Sequence, residues 1–411
     1  MKLAEKVVIG GNEVEVSNPP EGCSANDELG LVIHEAASGK LLHTGREPQR
    51  GVYESRAVKT PGGDYLVLIV DGGHYGGSIE KSNDMLAYRS SDSGATWEGP
   101  TVAFDIEYSQ HGFIPLIPKG SNRIYAFGTQ PIKGLWTRER GLQENAPIGY
   151  RYSDDDGHHW SGVHLIRPEN DPGFLGMSVM RMCETDGGTW LLGSHEGDWS
   201  YKPLMTRQYI LRSQDQGKTW ELLPNPRHGG WCVPQFNRMD EGRPINLGGG
   251  EVLLMLRTCE GHLWAGRSED DGKTWSKPEP TSLVHPDAPP MLFHLSDGET
   301  LIAFHHNRSF VTFETYTGLG SNPEAFMDRS EIWFALSTDK GRTWSEPQFV
   351  FVNAAEPSFE NAFRNYQCSY MDAVVDEGKL HVFVPHRWER LLHLVIKEED
   401  LGKFPTRKGL T

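Results

Sequence analysis

One short pattern, Ser-x-Asp-x-Gly-x-x-Trp, constrains this chain more than any other feature because it occurs five times. It reads "SSDSGATW" up to Trp97, "SDDDGHHW" to Trp160, "SQDQGKTW" to Trp220, "SEDDGKTW" to Trp275 and "STDKGRTW" to Trp344. The tryptophans are 63, 60, 55 and 69 residues apart. Four fixed residue types recurring at a loose period mean a repeat architecture, in which each unit buries its apolar face against the next. Each residue type has a role in a tight turn. The Asp accepts hydrogen bonds from nearby backbone N–H groups. The Gly permits a positive φ. The Trp is a large anchor to bury between strands or blades. The box therefore reads as a fastener, and function must come from elsewhere.

The residues before each box follow one plan. "SRAVKTPGGDYLVLIVDGG" and "DMLAYRS" predict a strand, a Gly-rich turn and two further strands ahead of the first box, with a short fourth strand after it. Later copies begin at "HGFIPLIPKGSNRIYAFGT", "MSVMRMCETDGGTWLLGSH", "PQFNRMDEGRPINLGGGEVLLMLRT" and "PPMLFHLSDGETLIAFHHN", and a copy without a box begins at "SYMDAVVDEGKLHVFVPHR". Four-stranded units repeated radially make a β-propeller. The expectation is an all-β, six-bladed β-propeller over residues 51–411. Residues 1–50 would supply strands that close the ring, around "ELGLVIHEAASGKLLHT"; if those strands form their own unit, the count is seven. The 46 Gly and 26 Pro supply the turns such a fold needs.

The formal charge of −16 argues against nucleic acid or an anionic membrane as partner, since both need a basic face. A locally basic pocket inside an acidic shell still admits an acidic ligand. Five widely spaced cysteines predict no disulfide framework. "MKLAEKVVIGGNEVEV" lacks the apolar run of a secretory signal, which reads as cytoplasmic, or as secreted if a leader has been cleaved. No cofactor is required by this reading. Cys232, Cys259, His228 and His262 are donors suited to structural zinc, but their spacing matches no familiar finger. No calcium-loop pattern supports Ca²⁺.

In a propeller the entry ends of the innermost strands share one cavity. Register within the repeat places there Arg56, His111, Arg181, Gln235 with Asn237, Pro290, and Tyr370 with Asp372. Second-strand ends add His74, Arg257, and His306 with Asn307. Arginines in a dry cavity are costly unless an anion meets them, and their planar fork suits a carboxylate. The pocket is expected to take an acidic oligo- or polysaccharide. The alternative is that each Arg pairs with a neighbouring Asp or Glu for structure.

The boxes and strand pattern resemble the Asp-box (BNR-repeat) sialidases and their relatives, over nearly all the chain after residue 50. The resemblance implies three arginines on the substrate carboxylate: Arg56 in "YESRAVKTPGGDYLV", where the family's Ile-Pro is Ala-Val; Arg257, ending "EVLLMLR"; and Arg329, opening "RSEIWFALS". It implies Tyr370 in "QCSYMDAVV" as nucleophile, because a carboxylate would be repelled by an anionic substrate. The family's activating Glu corresponds to Glu241, although strand register favours Val233 or Gln235 there. Its acid/base Asp corresponds to Asp84 or Asp71, with His74 beside them. This reading is a retaining exo-glycoside hydrolase. The chain is also similar to propeller lyases of uronic acids (ulvan and rhamnosyl–glucuronate lyases), which need a His or Tyr to move protons. His111, His74, Arg181, His195, Tyr209 and Asn237 would serve that chemistry. A glycan-binding propeller without catalysis is the third reading. Insertions at 129–147 and 307–329, with Trp136, Phe310 and Tyr316, are expected to rim one mouth.

Overall fold

The computed structural model describes the chain except residues 47–49, 74–81, 108, 110, 133–144, 199, 202–203, 227, 234–237, 309–327, 361 and 411. It is a six-bladed β-propeller. The chain divides into two compact units: a central one, Gly45–Arg257 with Trp264–Pro280, and a terminal one, Met1–Thr44, Thr258–Leu263 and Thr281–Thr411.

The N-terminal strands are β1 (Lys6–Ile9), β2 (Asn12–Glu15), β3 (Cys23–Asn26), β4 (Leu31–His34) and β5 (Ala37–Thr44). Blade I is β6 (Gly51–Lys59), β7 (Tyr65–Gly72), β8 (Asp84–Ser90) and β9 (Glu98–Asp105). Blade II is β10 (Ile114–Leu116), β11 (Ile124–Thr129), β12 (Ile148–Ser153) and β13 (His164–Leu165). Blade III is β14 (Ser178–Glu184), β15 (Trp190–Asp198), β16 (Met205–Ser213) and β17 (Glu221–Leu223). Blade IV is β18 (Asp240–Gly248), β19 (Glu251–Arg257), β20 (His262–Ser268) and β21 (Glu279–Val284). In the central unit β6 lies beside β10, β10 beside β14 and β14 beside β18, so the first strands of successive blades are neighbours.

In the terminal unit, blade V is β22 (Met291–His294), β23 (Leu301–His305), β24 (Glu331–Ser337) and β25 (Gln348–Asn353), and blade VI begins with β26 (Asp372–Asp376), β27 (Lys379–His386) and β28 (Arg390–Lys397). The early strands divide between these blades. β5 pairs antiparallel with β28 and supplies the fourth strand of blade VI. β4 instead pairs with β25, and β3 with β4, so blade V grows to six strands. The sequence expectation sent both β4 and β5 to the last blade. A short apolar run such as "LVIH" carries no mark of which edge it will join. The hairpin β1–β2 packs Ile9 and Val16 onto Trp333 and Phe349.

The five boxes adopt one geometry. In the first, the Ser90 hydroxyl donates to Asp92 (2.8 Å) and accepts from the Gly94 N–H (2.8 Å), while Asp92 accepts from the N–H and hydroxyl of Thr96 at 2.8 and 2.6 Å. The residue before each Gly is left-handed, with φ from 54° to 60° at Ser93, Asp156, Gln216, Asp271 and Lys340. Each Asp thus satisfies donors that the turn would otherwise leave open, which is why one motif is reused. In the central unit a box also ties one blade to the one before it. The Gly62 N–H, in the hairpin of blade I, donates to Asp156 of the second box, and Arg89 donates to the Asp156 carbonyl. Trp220 is buried, whereas Trp97, Trp160, Trp275 and Trp344 are half-buried. The expected buried anchor is therefore met fully in one box of five.

Candidate functional site

A feature absent from the sequence pattern shapes the site in the central unit. The first strands of blades I, III and IV each carry a β-bulge in the same place. Tyr53 and Glu54 together oppose Val70, Met180 and Arg181 oppose Gly193, and Glu241 and Gly242 oppose Leu256. A bulge re-aims side chains and recurs beside active sites. Here two of the three bulges carry a buried carboxylate.

The first is Glu54, 1% exposed. Its carboxylate accepts from His111 Nδ1–H at 2.7 Å, from the Gly112 N–H at 2.8 Å and from Arg56 at 2.5 Å. Burial pushes this carboxyl up, but Arg56 and His111 overcome that and hold it below its ordinary range. Because β6 and β10 are neighbours, the bond from Glu54 to His111, just ahead of β10, spans two blades.

The second is Glu241, held in a left-handed backbone (φ 49°), which costs a non-glycine residue energy and marks a functional candidate. Its carboxylate accepts from Arg257 at 2.5 Å. Burial opposes its ionisation, yet Arg257, His195 and His111 outweigh it and hold the group well below the carboxylate range. The Glu241 N–H points at His195 Nδ1 (3.4 Å), which also meets the Ser178 hydroxyl (3.2 Å). Burial lowers His195 to about 3, so its ring is neutral at ordinary pH. Asp240 lies 2.9 Å from Arg238 and 3.5 Å from Arg257. Three guanidinium groups, Arg56, Arg238 and Arg257, thus sit among three carboxylates, Glu54, Asp240 and Glu241. The pairing alternative raised by the sequence is what the structure shows for Arg56 and Arg257.

The remaining residues fall as follows. Arg181 occupies the blade III bulge and is half-buried. Tyr209 is fully buried in the blade III core, donates its hydroxyl to Glu196 at 2.9 Å, and is pushed up by burial and by Glu196. Asp84 opens β8 opposite Asp71, and both are held by arginines: Arg46 bridges them at 2.7 Å each, and Arg50 reaches Asp71 at 3.2 Å. His74, Gln235, Asn237, Trp136, Phe310 and Tyr316 lie outside the described residues.

In the terminal unit, Arg329 precedes β24 and is 1% exposed. Its guanidinium donates to Gln367 (3.2 Å), to the Ser369 hydroxyl (3.1 Å) and to the Asp287 carbonyl, and lies 5.7 Å from the centre of the Tyr370 ring. Tyr370 is left-handed (φ 61°) and almost buried. His306 donates Nδ1–H to the Glu331 carbonyl (2.8 Å), stacks on His285 and is lowered to about 3 by burial. Among the described residues no group of three or more His, Cys, Asp or Glu could hold a metal ion; Cys232, Cys259, His228 and His262 do not assemble one.

Sequence reasoning missed Glu54, Asp240 and Arg238. Glu54 stood two residues from Arg56 on a predicted strand, where alternation puts both on one face; that signal was available. Glu241 was offered, against the register that favoured Val233 or Gln235. The first strand of blade IV begins at Asp240 rather than near Pro234, which puts Glu241 at its entry end.

A family model for the BNR repeat-like domain matches residues 76–382. The chain belongs to this BNR repeat-like family. It is 21% identical over 354 residues to a sialidase of Bacteroides fragilis, an alignment covering 79% of this chain and 58% of that protein. It is 23% identical over 216 residues to a xyloglucanase of Paenibacillus, covering 51% of this chain and 20% of the relative. The chain therefore spans under two thirds of the length of these relatives. Among solved structures, the Hadza microbial sialidase Hz136 superposes with a TM-score of 0.62 at 17% identity, over 89% of this chain and 69% of that one. That likeness is one of fold.

Proposed function

We propose that this BNR-repeat protein is a glycoside hydrolase acting on a glycan that carries an acidic sugar, by the retaining chemistry of sialidases. The observation that carries the reading is Arg329 lying against the Tyr370 ring, with the Tyr backbone fixed in a left-handed conformation. The guanidinium steadies the ring and can draw a substrate carboxylate to it. Tyr370 is assigned the nucleophilic oxygen, since a phenol approaches an anionic sugar without the repulsion a carboxylate would meet. Arg329 is assigned to the substrate carboxylate, and the relationship to a sialidase supports the hydrolase reading.

A second reading has its own observation. The His111–Glu54 pair beside neutral His195 is the equipment of proton abstraction, as a uronate lyase requires. The deciding experiment supplies sialosides and uronate polysaccharides, and follows free sugar and the ultraviolet absorbance of an unsaturated uronate together. Sugar release without absorbance, abolished in Tyr370→Phe, is the expected outcome. A rise in absorbance establishes elimination instead, and release that survives Tyr370→Phe removes the nucleophile assignment.

A further inference from the structure

Among the described residues ten histidines are buried; two of them, His111 and His195, lie in the central unit and the other eight in the terminal unit. Four of those eight, His285, His305, His306 and His386, are 0% exposed. His285 follows β21, His305 ends β23 with His306 after it, and His386 ends β27. Hydrogen bonds fix each ring in one neutral form. The His306 N–H donates to His285 Nδ1 (3.3 Å), His285 Nε2–H donates to the Ala288 carbonyl (3.1 Å), and the two rings stack at 4.9 Å. His386 donates Nε2–H to Asn353 Oδ1 (2.7 Å), and its Nδ1 accepts from Arg390 (2.9 Å). A proton added to His285 or His386 would meet an N–H already in place. His305 and His306 donate Nδ1–H to the carbonyls of Val284 (3.0 Å) and Glu331 (2.8 Å), and their Nε2 atoms are buried with no partner among the described residues. A proton there would be a buried charge without an acceptor.

The surrounding charges oppose protonation as well. Arg329 and Arg308 act on the group beside blade V, where Glu331 turns its carboxylate to Arg308, Trp333 and the Gly10 N–H. Arg387 and Arg390 act on His386, and the carboxylates nearby, Glu389 and Glu28, act on those arginines. Burial, the largest cause in all four rings, holds them below the ordinary histidine range, His305 at about 4 and His306 at about 3.

We propose that these buried histidines make the terminal unit an acid-operated switch, which takes up protons by opening in mild acid while the central unit stays folded. Each ring refuses a proton that the unfolded chain accepts below about pH 6.5. Its contribution to stability is whole above that pH and falls as pH drops toward the folded value. One such ring multiplies the opening constant by up to about 10 per pH unit, so four multiply it by up to about 10,000. His34, His381 and His393 are shifted the same way and add to the effect. In the central unit His195 is the ring with this shift. Carboxylates titrate near pH 4 and stay charged through most of the window between pH 6.5 and pH 5. Arg329 and Tyr370 belong to the terminal unit, so its opening would withdraw the groups assigned above to the acidic sugar. The switch itself needs no substrate and stands apart from that reading.

The test is hydrogen exchange on the full chain, followed by mass spectrometry from pH 7 to pH 5 and corrected for the intrinsic pH dependence of amide exchange. Protection in β22, β23, β26 and β27 should fall by about 100-fold or more between pH 6 and pH 5 and return at pH 7, while protection in β15 and β19 falls by no more than about 10-fold. His306→Gln removes one titrating ring. It should reduce the fall in the terminal unit by up to about 10-fold per pH unit whatever it does to stability at pH 7, because the slope counts protons. If that variant is unfolded at pH 7, His305→Gln makes the same test, and if neither folds the parent's exchange profile decides alone. Protection lost equally in both units, or a fall of less than about 10-fold in the terminal unit, overturns the proposal. So does a folded variant whose slope matches the parent's.

Discussion

The outer turns and the inner bulges of this propeller are both repeated structures, but they repeat differently. The turn carries the same Ser, Asp, Gly and Trp five times and makes the same bonds each time. The bulge recurs on three inner strands with unrelated residues, Tyr53–Glu54, Met180–Arg181 and Glu241–Gly242. The turn is exposed and settles its own hydrogen bonds. The bulge is buried and settles its charges only with help from other strands. Repetition of residues marks what the fold needs, and a repeated shape holding different residues marks where chemistry can be placed.

That contrast predicts unequal responses to damage. Arg257→Ala would leave Glu241 buried without its partner, and unpairing a buried ion costs roughly 3–5 kcal/mol. Urea unfolding should show a loss of that size, and a loss near zero would mean the pair is not dry. Acid should act next. His195 is lowered from 6.5 to about 3, so the folded state refuses a proton that the unfolded chain accepts. Its contribution is whole above pH 6.5 and falls as pH drops toward 3, by about 1.4 kcal/mol per pH unit. The turns should respond later, because Asp92 and Asp339 are held at about 2 against 3.8 and lose their advantage only as pH falls through that interval. A urea midpoint unchanged between pH 7 and pH 4.5 would break this ordering. The smallest effect belongs to a single turn. Asp270→Ala removes the bonds to Ser268 and Thr274 from an exposed site and should cost about 1 kcal/mol, with catalytic activity unchanged. A larger loss in calorimetry would show that a box anchors more than itself.

The blade plan was legible because each copy pairs a strong turn signal with strands rich in apolar residues, such as "YLVLIV" in β7. The site was legible only in part. Arg56 and Arg257 were found, since they sit where register puts them, and Glu241 through the family resemblance, but Glu54 and Asp240 were not. A bulge adds one residue to a strand and flips every side chain beyond it, and nothing in "YESRAV" or "MDEGRPIN" announces the insertion. Glu241 shows the cost: it faces Arg257 only because the chain departs from alternation at that point. Gly193 was equally silent. A Cβ there would lie 2.0 Å from the Gly242 carbonyl oxygen, so this glycine makes room for the next blade's bulge.

The strand exchange that completes blade VI has a consequence for how the protein is made. β5 leaves the ribosome long before its partner β28. Throughout synthesis β5 is an open edge, and an unpaired edge in a half-made protein invites association with other nascent chains. The central unit has all its segments by Pro280, while the terminal unit still waits for Thr281–Thr411. Translation speed and holding chaperones should therefore govern the yield of this protein through one short segment, Ala37–Thr44.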